Sequence, residues 1–255
     1  MIVRLLRSIL AGAFFLAYGL LALLFAPVLA LPIWRPRAFR ALIRFYYRAF
    51  VACGRLTGLF AVETAAADRA RLASLHGAIV VMNHISLIDI VVILAHIPDA
   101  TAIAKPAVLR NPFLSIVAKR MFIVNDGDVS SLIATACTHL AQGTNVVIFP
   151  QGTRGGATFH RGAAHLALTS RVAVQPVRID YAPPVLTKGQ PWWDVGAHTI
   201  RISLNVRDAI VPSPPDSHAA ARALTAQIAD ALAAHNSAEL SPCKQHADFD
   251  RIPRK

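Results

Sequence analysis

His84 and Asp89 stand five residues apart in the segment Asn83-His84-Ile85-Ser86-Leu87-Ile88-Asp89. The apolar run at 78–82 predicts a buried strand in front of them, and Ser86 is typical of the cap at a helix start. A histidine at the end of such a strand lies in a crevice, and a carboxylate about one helical turn away can orient its imidazole and stabilise its positive charge. The spacing therefore predicts a general base with an acidic partner.

A second polar cluster, Gln151-Gly152-Thr153-Arg154, follows the apolar run at 145–149. This run also predicts a buried strand. Ligands of parallel sheets bind at the carboxyl ends of strands. We therefore expect the cluster and His84 to face the same crevice.

Strand-like and helix-like segments alternate between these clusters and beyond them. Asn111-Pro112 is typical of a helix start, and Gly143 of a helix end. The alternation predicts an α/β fold with a largely parallel central sheet flanked by helices. The predicted strands cover 78–82, 101–104, 121–124, 145–149, 172–179 and 199–206, and the predicted helices cover 87–96, 112–119, 130–142, 162–170 and 217–234.

Four elements of sequence, in order, resemble the glycerolipid acyltransferase family, which is typified by 1-acyl-sn-glycerol-3-phosphate acyltransferases. A histidine and an aspartate at this spacing (HxxxxD) are a weak signal alone, whereas the joint order over residues 78–179 is specific. The four elements are Asn83-His84 with Asp89, then Lys105, Leu109 and Pro112 leading to Phe122-Ile123-Val124, then Phe149 to Arg154 followed by Phe159-His160-Arg161-Gly162-Ala163, and finally Val172 to Val177 with its Pro176.

The resemblance implies that Arg154 holds the phosphate of an acceptor. Lys105 and backbone amides near Gly152 and Thr153 would assist it. A guanidinium offers several hydrogen-bond donors to a phosphate, and glycine lets the backbone approach closely.

Two departures from the family pattern concern the acceptor. Gln151 stands where the family usually has glutamate, and Asn125-Asp126 lies where an arginine is usual. Glutamine keeps the length of glutamate and loses its charge, so acceptor preference is expected to differ if that carboxylate orients Arg154 or binds acceptor hydroxyls.

The reaction implied is direct acyl transfer. His84, partnered by Asp89, would deprotonate an acceptor hydroxyl, which attacks the thioester of acyl-CoA or acyl-carrier protein and releases a free thiol. The ordinary acceptor is a lysophospholipid, 1-acyl-sn-glycerol-3-phosphate, and the product is phosphatidic acid. No metal, cofactor or covalent acyl-enzyme is required.

Two other interpretations stay open. The acceptor could be another lipid alcohol, such as a lyso-ornithine lipid or an aryl-polyene-type lipid, since residues 183–193 faintly resemble acyltransferases of bacterial aryl-polyene pigment assembly and Gln151 points the same way. Alternatively, the chain could be a catalytically silent lipid-binding membrane scaffold, against which the intact His84–Asp89 pair counts. A serine esterase of the α/β-hydrolase type is disfavoured because the sequence has no GxSxG turn.

The amino-terminal region predicts attachment to a membrane. No charged residue occurs among the 27 positions from Ser8 to Trp34, against the roughly 20 that cross a bilayer as a helix. A cleaved signal peptide is a poor alternative, because arginine-rich sequence follows where a cleavage site should lie. We therefore expect membrane lipids as partners. We also expect the protein in a bacterial inner membrane, with the catalytic domain on its cytoplasmic side.

Two topologies fit this region. It could be a single span, or a helical hairpin that breaks near Pro27 and Pro32 and returns to the same side. The hairpin is favoured because arginines recur at three- or four-residue spacing from 37 to 48, alternate with apolar residues and predict a helix that lies along the interface. The alternative for that helix is ordinary packing on the domain.

Charge and cysteine content narrow the remaining classes of partner and of structural site. The net charge is +12, and eight arginines precede the first acidic residue, Glu63. The basic character therefore belongs to the membrane-proximal part, which favours anionic lipid headgroups over nucleic acid. Cys53, Cys137 and Cys243 have no spacing typical of a zinc site or a disulfide framework.

We assign residues 1–60 to the anchor, 61–240 to the acyltransferase domain with a long loop at 181–198, and 241–255 to a disordered polar tail.

Overall fold

The computed structural model describes residues 1–111, 115–213 and 217–233. The tail predicted at 241–255 lies outside the described residues, as do Pro112 and the two residues after it in the predicted helix 112–119. Eight α-helices are described: α1 Ile2–Ala30, α2 Pro36–Leu56, α3 Ala66–Ala73, α4 Asp89–His96, α5 Ser115–Met121, α6 Val129–Ala141, α7 Gly162–Ser170 and α8 His218–Ala233. A short 3₁₀ helix covers Pro106–Arg110.

Seven strands form one sheet in the order β1-β7-β6-β2-β5-β3-β4. All neighbours pair in parallel except β6 and β7. The predicted α/β class with a largely parallel sheet is confirmed. The strands are β1 Phe60–Glu63, β2 Ile79–Met82, β3 Ala100–Ala104, β4 Ile123–Val124, β5 Asn145–Ile148, β6 Val174–Ala182 and β7 Ile200–Val206.

Helices cover both faces of the sheet, so the central strands are apolar on both sides. In β2, Val80 and Met82 join the core beneath α1, α2 and α4, whereas Ile79 and Val81 join the core beneath α6, α7 and α8. All four side chains are fully buried. This continuous apolar pattern is typical of a central parallel strand.

Local signals explain where α6 begins and ends. The carboxylate of Asp128 accepts hydrogen bonds from the backbone N–H groups of Ser130 and Ser131, which have no partner inside the helix. After the helix, Gly143 has a φ of +80°, and a Cβ there would lie 2.3 Å from the His76 ring. Only glycine fits this turn, which returns the chain to β5.

Three sequence predictions of local structure are wrong, and two elements were not predicted. Strand β1 and helix α3 are the two without a prediction; each is short, and α3 lacks an amphipathic pattern clear enough to detect. Residues 121–124 are not one strand, because α5 continues to Met121. The predicted loop at 181–198 begins too early, because Tyr181 and Ala182 pair with β7 as part of β6. Helix α4 begins at Asp89, and no side chain caps it, so Ser86 is not its cap.

Helices α1 and α2 form an antiparallel pair joined by residues 31–35. Tyr46 donates a hydrogen bond to the Tyr18 carbonyl at 2.5 Å, and the Phe14 and Phe50 rings lie 5.0 Å apart. By length and composition, α1 could cross a membrane. It continues through Pro27, so the chain reverses only at Pro32.

The apolar side of α2 packs on the domain, and most of its arginines bind the domain as well. Arg40 is 5% exposed and pairs with Asp99 at 2.5 Å, and it also donates to Thr144. Arg37 and Arg44 donate to the carbonyls of Gln142 and His96. The alternative prediction, ordinary packing on the domain, therefore describes α2 better than a free basic face does.

Candidate active site

His84 and Asp89 form a hydrogen-bonded pair at the carboxyl end of β2. The distance from His84 Nδ1 to Asp89 Oδ2 is 2.7 Å. The Asp89 side chain is fully buried, whereas 22% of the His84 side chain is exposed. Because Nδ1 is engaged by the Asp89 carboxylate, Nε2 is the ring nitrogen left to accept a proton.

Three further donors hold the Asp89 carboxylate. The backbone N–H groups of Ile85 and Ser86 donate to Oδ2 at 2.7 and 2.9 Å. The hydroxyl of Tyr181 donates to Oδ1 at 2.6 Å. The carboxylate also occupies the first turn of α4, where the helix dipole favours negative charge. These contacts give hydrogen-bond partners to both oxygens of a carboxylate that has no access to water.

Tyr181 stays protonated next to this charge. Burial of its ring, followed by the neighbouring Asp89 carboxylate, raises the pKa of the Tyr181 hydroxyl well above its ordinary value. The hydroxyl therefore remains a donor across the whole neutral range.

The imidazole of His84 is also fixed by its ring face and its backbone. The Phe149 ring packs against it with centroids 4.5 Å apart. The backbone carbonyl of His84 accepts from the Gly155 N–H at 2.8 Å. The turn after β5 and the end of β2 are thus one rigid unit.

Gln151 joins the two motif segments through both ends of its side chain. Its Oε1 accepts from the His84 N–H at 2.7 Å, and its Nε2 donates to the Gly156 carbonyl at 2.5 Å. A backbone N–H can only donate and a carbonyl can only accept, so the orientation of the amide is settled by its partners. The side chain is therefore engaged in the protein framework at both ends.

Arg154 lies in the same turn and bonds to the loop that follows β6. Its Nη1 donates to the carbonyls of Leu186 and Thr187 at 2.8 and 3.3 Å. The Leu186 carbonyl also accepts from the Leu87 N–H at 3.1 Å. Within the described part of the chain, the other guanidinium N–H groups of Arg154 have no partner.

Gly152 and Thr153 shape the turn in different ways. Gly152 has a φ of +65°, and a Cβ there would lie 3.3 Å from the His160 ring, which explains the glycine. Its N–H donates to the Phe149 carbonyl at 2.9 Å, so this amide is already used. The Thr153 carbonyl accepts from Gly156, and the Thr153 N–H has no acceptor among the described residues.

Lys105 lies farther from the base than the other predicted residues. It is exposed and follows β3, at the same sheet edge as His84. Strand β3 is two positions from β2 in the sheet, which corresponds to about 10 Å. The structure therefore brings His84, Asp89, Gln151, Gly152, Thr153 and Arg154 together and leaves Lys105 at the rim.

Sequence reasoning missed two residues that build the site. Tyr181 binds Asp89, and Leu186 accepts from both motif segments. Asn83, which belongs to the first motif, pairs with both backbone groups of Ile179 at 2.8 Å. Tyr181 and Leu186 are distant in sequence and flank Pro183-Pro184, which predicted only a loop.

Comparison with known proteins agrees with this arrangement. Residues 64–180 match the family model described as Acyltransferase. The fold is similar to the crystal structure of the 1-acyl-sn-glycerophosphate (LPA) acyltransferase, PlsC, from Thermotoga maritima, with a TM-score of 0.67 and 19% identity over 88% of this chain and 94% of that chain. A search of curated proteins found no match.

Proposed function

Since residues 64–180 place this chain in the acyltransferase family as an O-acyltransferase, we propose that it acylates the free hydroxyl of 1-acyl-sn-glycerol-3-phosphate and forms phosphatidic acid. The donor is acyl-CoA or acyl-carrier protein. One observation carries the proposal: a buried, hydrogen-bonded Asp89 holds Nδ1 of a partly exposed His84, which leaves Nε2 to accept the proton.

The chemistry follows from this pair. Nε2 of His84 removes the proton of the acceptor hydroxyl as the oxygen attacks the thioester carbonyl. Asp89 stabilises the imidazolium that forms. When the tetrahedral intermediate collapses, the carbon–sulfur bond breaks, and the imidazolium returns its proton to the leaving thiolate. The transfer uses no metal and no cofactor.

Arg154 and Lys105 supply positive charge for the acceptor phosphate. The donors of Arg154 that have no partner among the described residues, together with the free Thr153 amide, form the inner part of this site. Lys105, at the rim of the same edge, contributes a longer-range attraction. The pairing of arginine with phosphate suits its planar arrangement of donors.

The anchor proposed here lies in the plane of the membrane surface. Arg7, near the start of α1, donates to the carbonyls of Gly58, Leu59 and His198. Near its other end, Arg120 donates to the carbonyls of Leu29 and Leu31. A helix held to the domain at both ends, about 43 Å long, presents its outer face to lipid along its length. This attachment at both ends supports the hairpin over a separate span. We place the domain on the cytoplasmic side because arginines flank the apolar run on both sides.

The contacts of Gln151 weaken one argument for another acceptor. That argument was the missing charge at Gln151, whereas both ends of this side chain bind the backbone. The match to an enzyme family and the intact His84–Asp89 pair count against the silent scaffold. Lyso-ornithine and aryl-polyene-type lipids remain outcomes of the test.

The test is product identification with purified protein in detergent. Acyl-CoA and acyl-carrier protein are each offered with lysophosphatidate, lyso-ornithine lipid or an aryl-polyene alcohol, and both thiol release and the acylated product are measured. We expect phosphatidic acid. Thiol release that depends on one of the other acceptors, with none from lysophosphatidate, overturns the proposal.

A further inference from the structure

A groove of about 900 Å³ lies between the first turns of α1 and the loop from β6 to β7. Its volume is within the range of small-molecule sites. Leu5, Ile9 and Gly12 line it on the helix side, and Trp192 and Trp193 line it on the loop side. The two indole rings lie edge to face at 5.1 Å, and Trp192 also contacts Phe15. The lining is mainly apolar.

The groove is at the catalytic edge of the sheet. Strand β6 is parallel to β2, so the loop that follows β6 leaves from the edge where His84 lies. The Leu186 carbonyl fixes that loop to Leu87 and Arg154. Trp192 is six positions after Leu186, which is at most about 22 Å of chain. A single elongated ligand can therefore extend from the groove to the base.

The walls of the groove are held in position by polar contacts. Arg4 binds Asp194 through two hydrogen bonds of 2.6 and 3.2 Å, which fix the loop to α1. Gln190 donates to the Asp194 carbonyl at 2.8 Å within the loop. The groove is a built feature of the fold.

The open side of the groove continues into lipid-facing surface. Leu5 and Ile9 are each 61% exposed and belong to a row of exposed apolar side chains along α1. The charge of Arg4, at the rim, is offset by its ion pair with Asp194. A ligand that enters here comes from the membrane and offers an apolar chain, whereas acyl-CoA and acyl-carrier protein arrive from water.

From these contacts we propose that the groove binds the fatty acyl chain of the lysophospholipid acceptor as its headgroup reaches Arg154. This inference rests on the proposed function, because it assumes that the acceptor is a lipid. It assigns acceptor selection to α1 and to the Trp192-Trp193 loop, outside the matched domain.

Gly12 offers a direct way to fill the groove. A Cβ at Gly12 would lie 3.7 Å from Trp193 Cβ, which is ordinary contact. Gly12→Ala therefore fits, and Gly12→Leu extends into the groove. Both residues favour a helix more than glycine does, so α1 is not weakened. Ala17→Leu adds the same bulk at an exposed position of α1 outside the groove.

The experiment uses the tryptophans as reporters of contact. Trp34→Phe leaves Trp192 and Trp193 as the only tryptophans of the chain. The Trp34→Phe protein, in nonbrominated detergent micelles, is titrated with lysophosphatidate that carries bromine on its acyl chain. Bromine quenches indole fluorescence on contact. Chain-brominated diacylphosphatidylcholine, at the same mole fraction, measures quenching by bulk lipid. We expect saturable quenching by the lysolipid alone, about tenfold weaker in Gly12→Leu and retained in Gly12→Ala and Ala17→Leu.

Equal, nonsaturating quenching by both lipids would show that the groove is only lipid-facing surface and would overturn the proposal. No quenching, or saturable quenching that Gly12→Leu does not weaken, also overturns it. The acyl-transfer assay separates this result from failure of the proposed function. If quenching is saturable and no acyl transfer occurs, the groove proposal stands and the assignment of lysophosphatidate as the acceptor fails. If acyl transfer occurs without saturable quenching, the acceptor assignment stands and the groove proposal fails.

Discussion

At the residue scale, the function depends on how many donors hold one buried carboxylate. Asp89 accepts from His84, from two backbone N–H groups and from Tyr181. A hydrogen bond to a charged group contributes about 1.5–3 kcal/mol. Because each donor shares the charge of the carboxylate, each also sets how strongly Asp89 stabilises the imidazolium of His84.

Replacement of Tyr181 by phenylalanine tests this balance. We expect kcat to fall by up to about tenfold, because Asp89 loses a positioning contact. The raised pKa of Tyr181 keeps its hydroxyl protonated at neutral pH, so the wild-type protein retains this donor there. Steady-state kinetics of the wild-type protein and of Tyr181→Phe measure the change, and an unchanged kcat would argue that Tyr181 is only a packing residue.

Gln151→Glu restores the residue type that the family usually has and is nevertheless expected to be harmful. Glutamate cannot donate to the Gly156 carbonyl and would place a carboxylate oxygen beside it. We expect the free energy of unfolding to fall by about 1–3 kcal/mol, with lower transfer to lysophosphatidate. Denaturant unfolding and the thiol-release assay measure both. Gln142→Glu, at an exposed position, is the control, and a gain of activity in Gln151→Glu would contradict the account.

At the scale of elements, α2 is attached to the domain by charge as well as by apolar contact. Arg40 reaches Asp99 and Thr144 at the sheet edge opposite the active site. Asp99 is 26% exposed and has a second partner, Arg37, at 3.4 Å, so it stays partly compensated when Arg40 is removed. For Arg40→Met, which also loses the bond to Thr144, we expect the free energy of unfolding to fall by about 1–3 kcal/mol.

The control for Arg40→Met is Arg48→Met on the same helix. Arg48 is exposed, so its loss should change stability by less than about 0.5 kcal/mol. Thermal unfolding of the purified proteins compares the two. Equal destabilisation would mean that the Arg40–Asp99 pair contributes nothing beyond a surface charge.

The elements were predictable where the apolar period was clear. Strand β2 was predicted from a continuous apolar run. Helix α7 was predicted with the bounds that it has, Gly162 to Ser170. Strand β1 is four residues long, and its partner β7 lies more than 130 residues away, so nothing local marks it. The two prolines after Tyr181 predicted a loop there, whereas its pairing with β7 makes it part of β6.

The site was predictable to the same degree. His84 and Asp89 are near in sequence, and one strand and one helix suffice to bring them together. The contacts of Gln151 and Arg154 depend on the positions of Gly156 and Leu186, which are fixed only when the sheet and the loop after β6 are assembled. Residue type indicated phosphate binding and missed this framework role.

At the scale of the whole molecule, α1 carries the largest exposed apolar surface among the described residues. Leu20 and Leu24 are 53% and 72% exposed on it. Burial of a leucine side chain contributes roughly 1.5–3 kcal/mol. The Leu20→Glu/Leu24→Glu variant should therefore bind vesicles at least about a hundredfold more weakly.

Flotation of the protein with vesicles of anionic phospholipid measures this binding. Val129→Glu is the matched control, since Val129 is 55% exposed at the start of α6, on the other face of the sheet. It should float like the wild type. Flotation of the Leu20→Glu/Leu24→Glu variant at the wild-type level would mean that α1 is not the anchor.

The central claim is that His84 is the base of a direct acyl transfer to a lipid hydroxyl. Its most direct test is thiol release from the acyl donor in the presence of lysophosphatidate, by wild-type protein, His84→Ala and His218→Ala, which alters an exposed histidine of α8. Wild-type and His218→Ala protein should release thiol in step with phosphatidic acid, and His84→Ala should be slower by about 10²–10⁴-fold. Thiol release by His84→Ala at the wild-type rate would contradict the account.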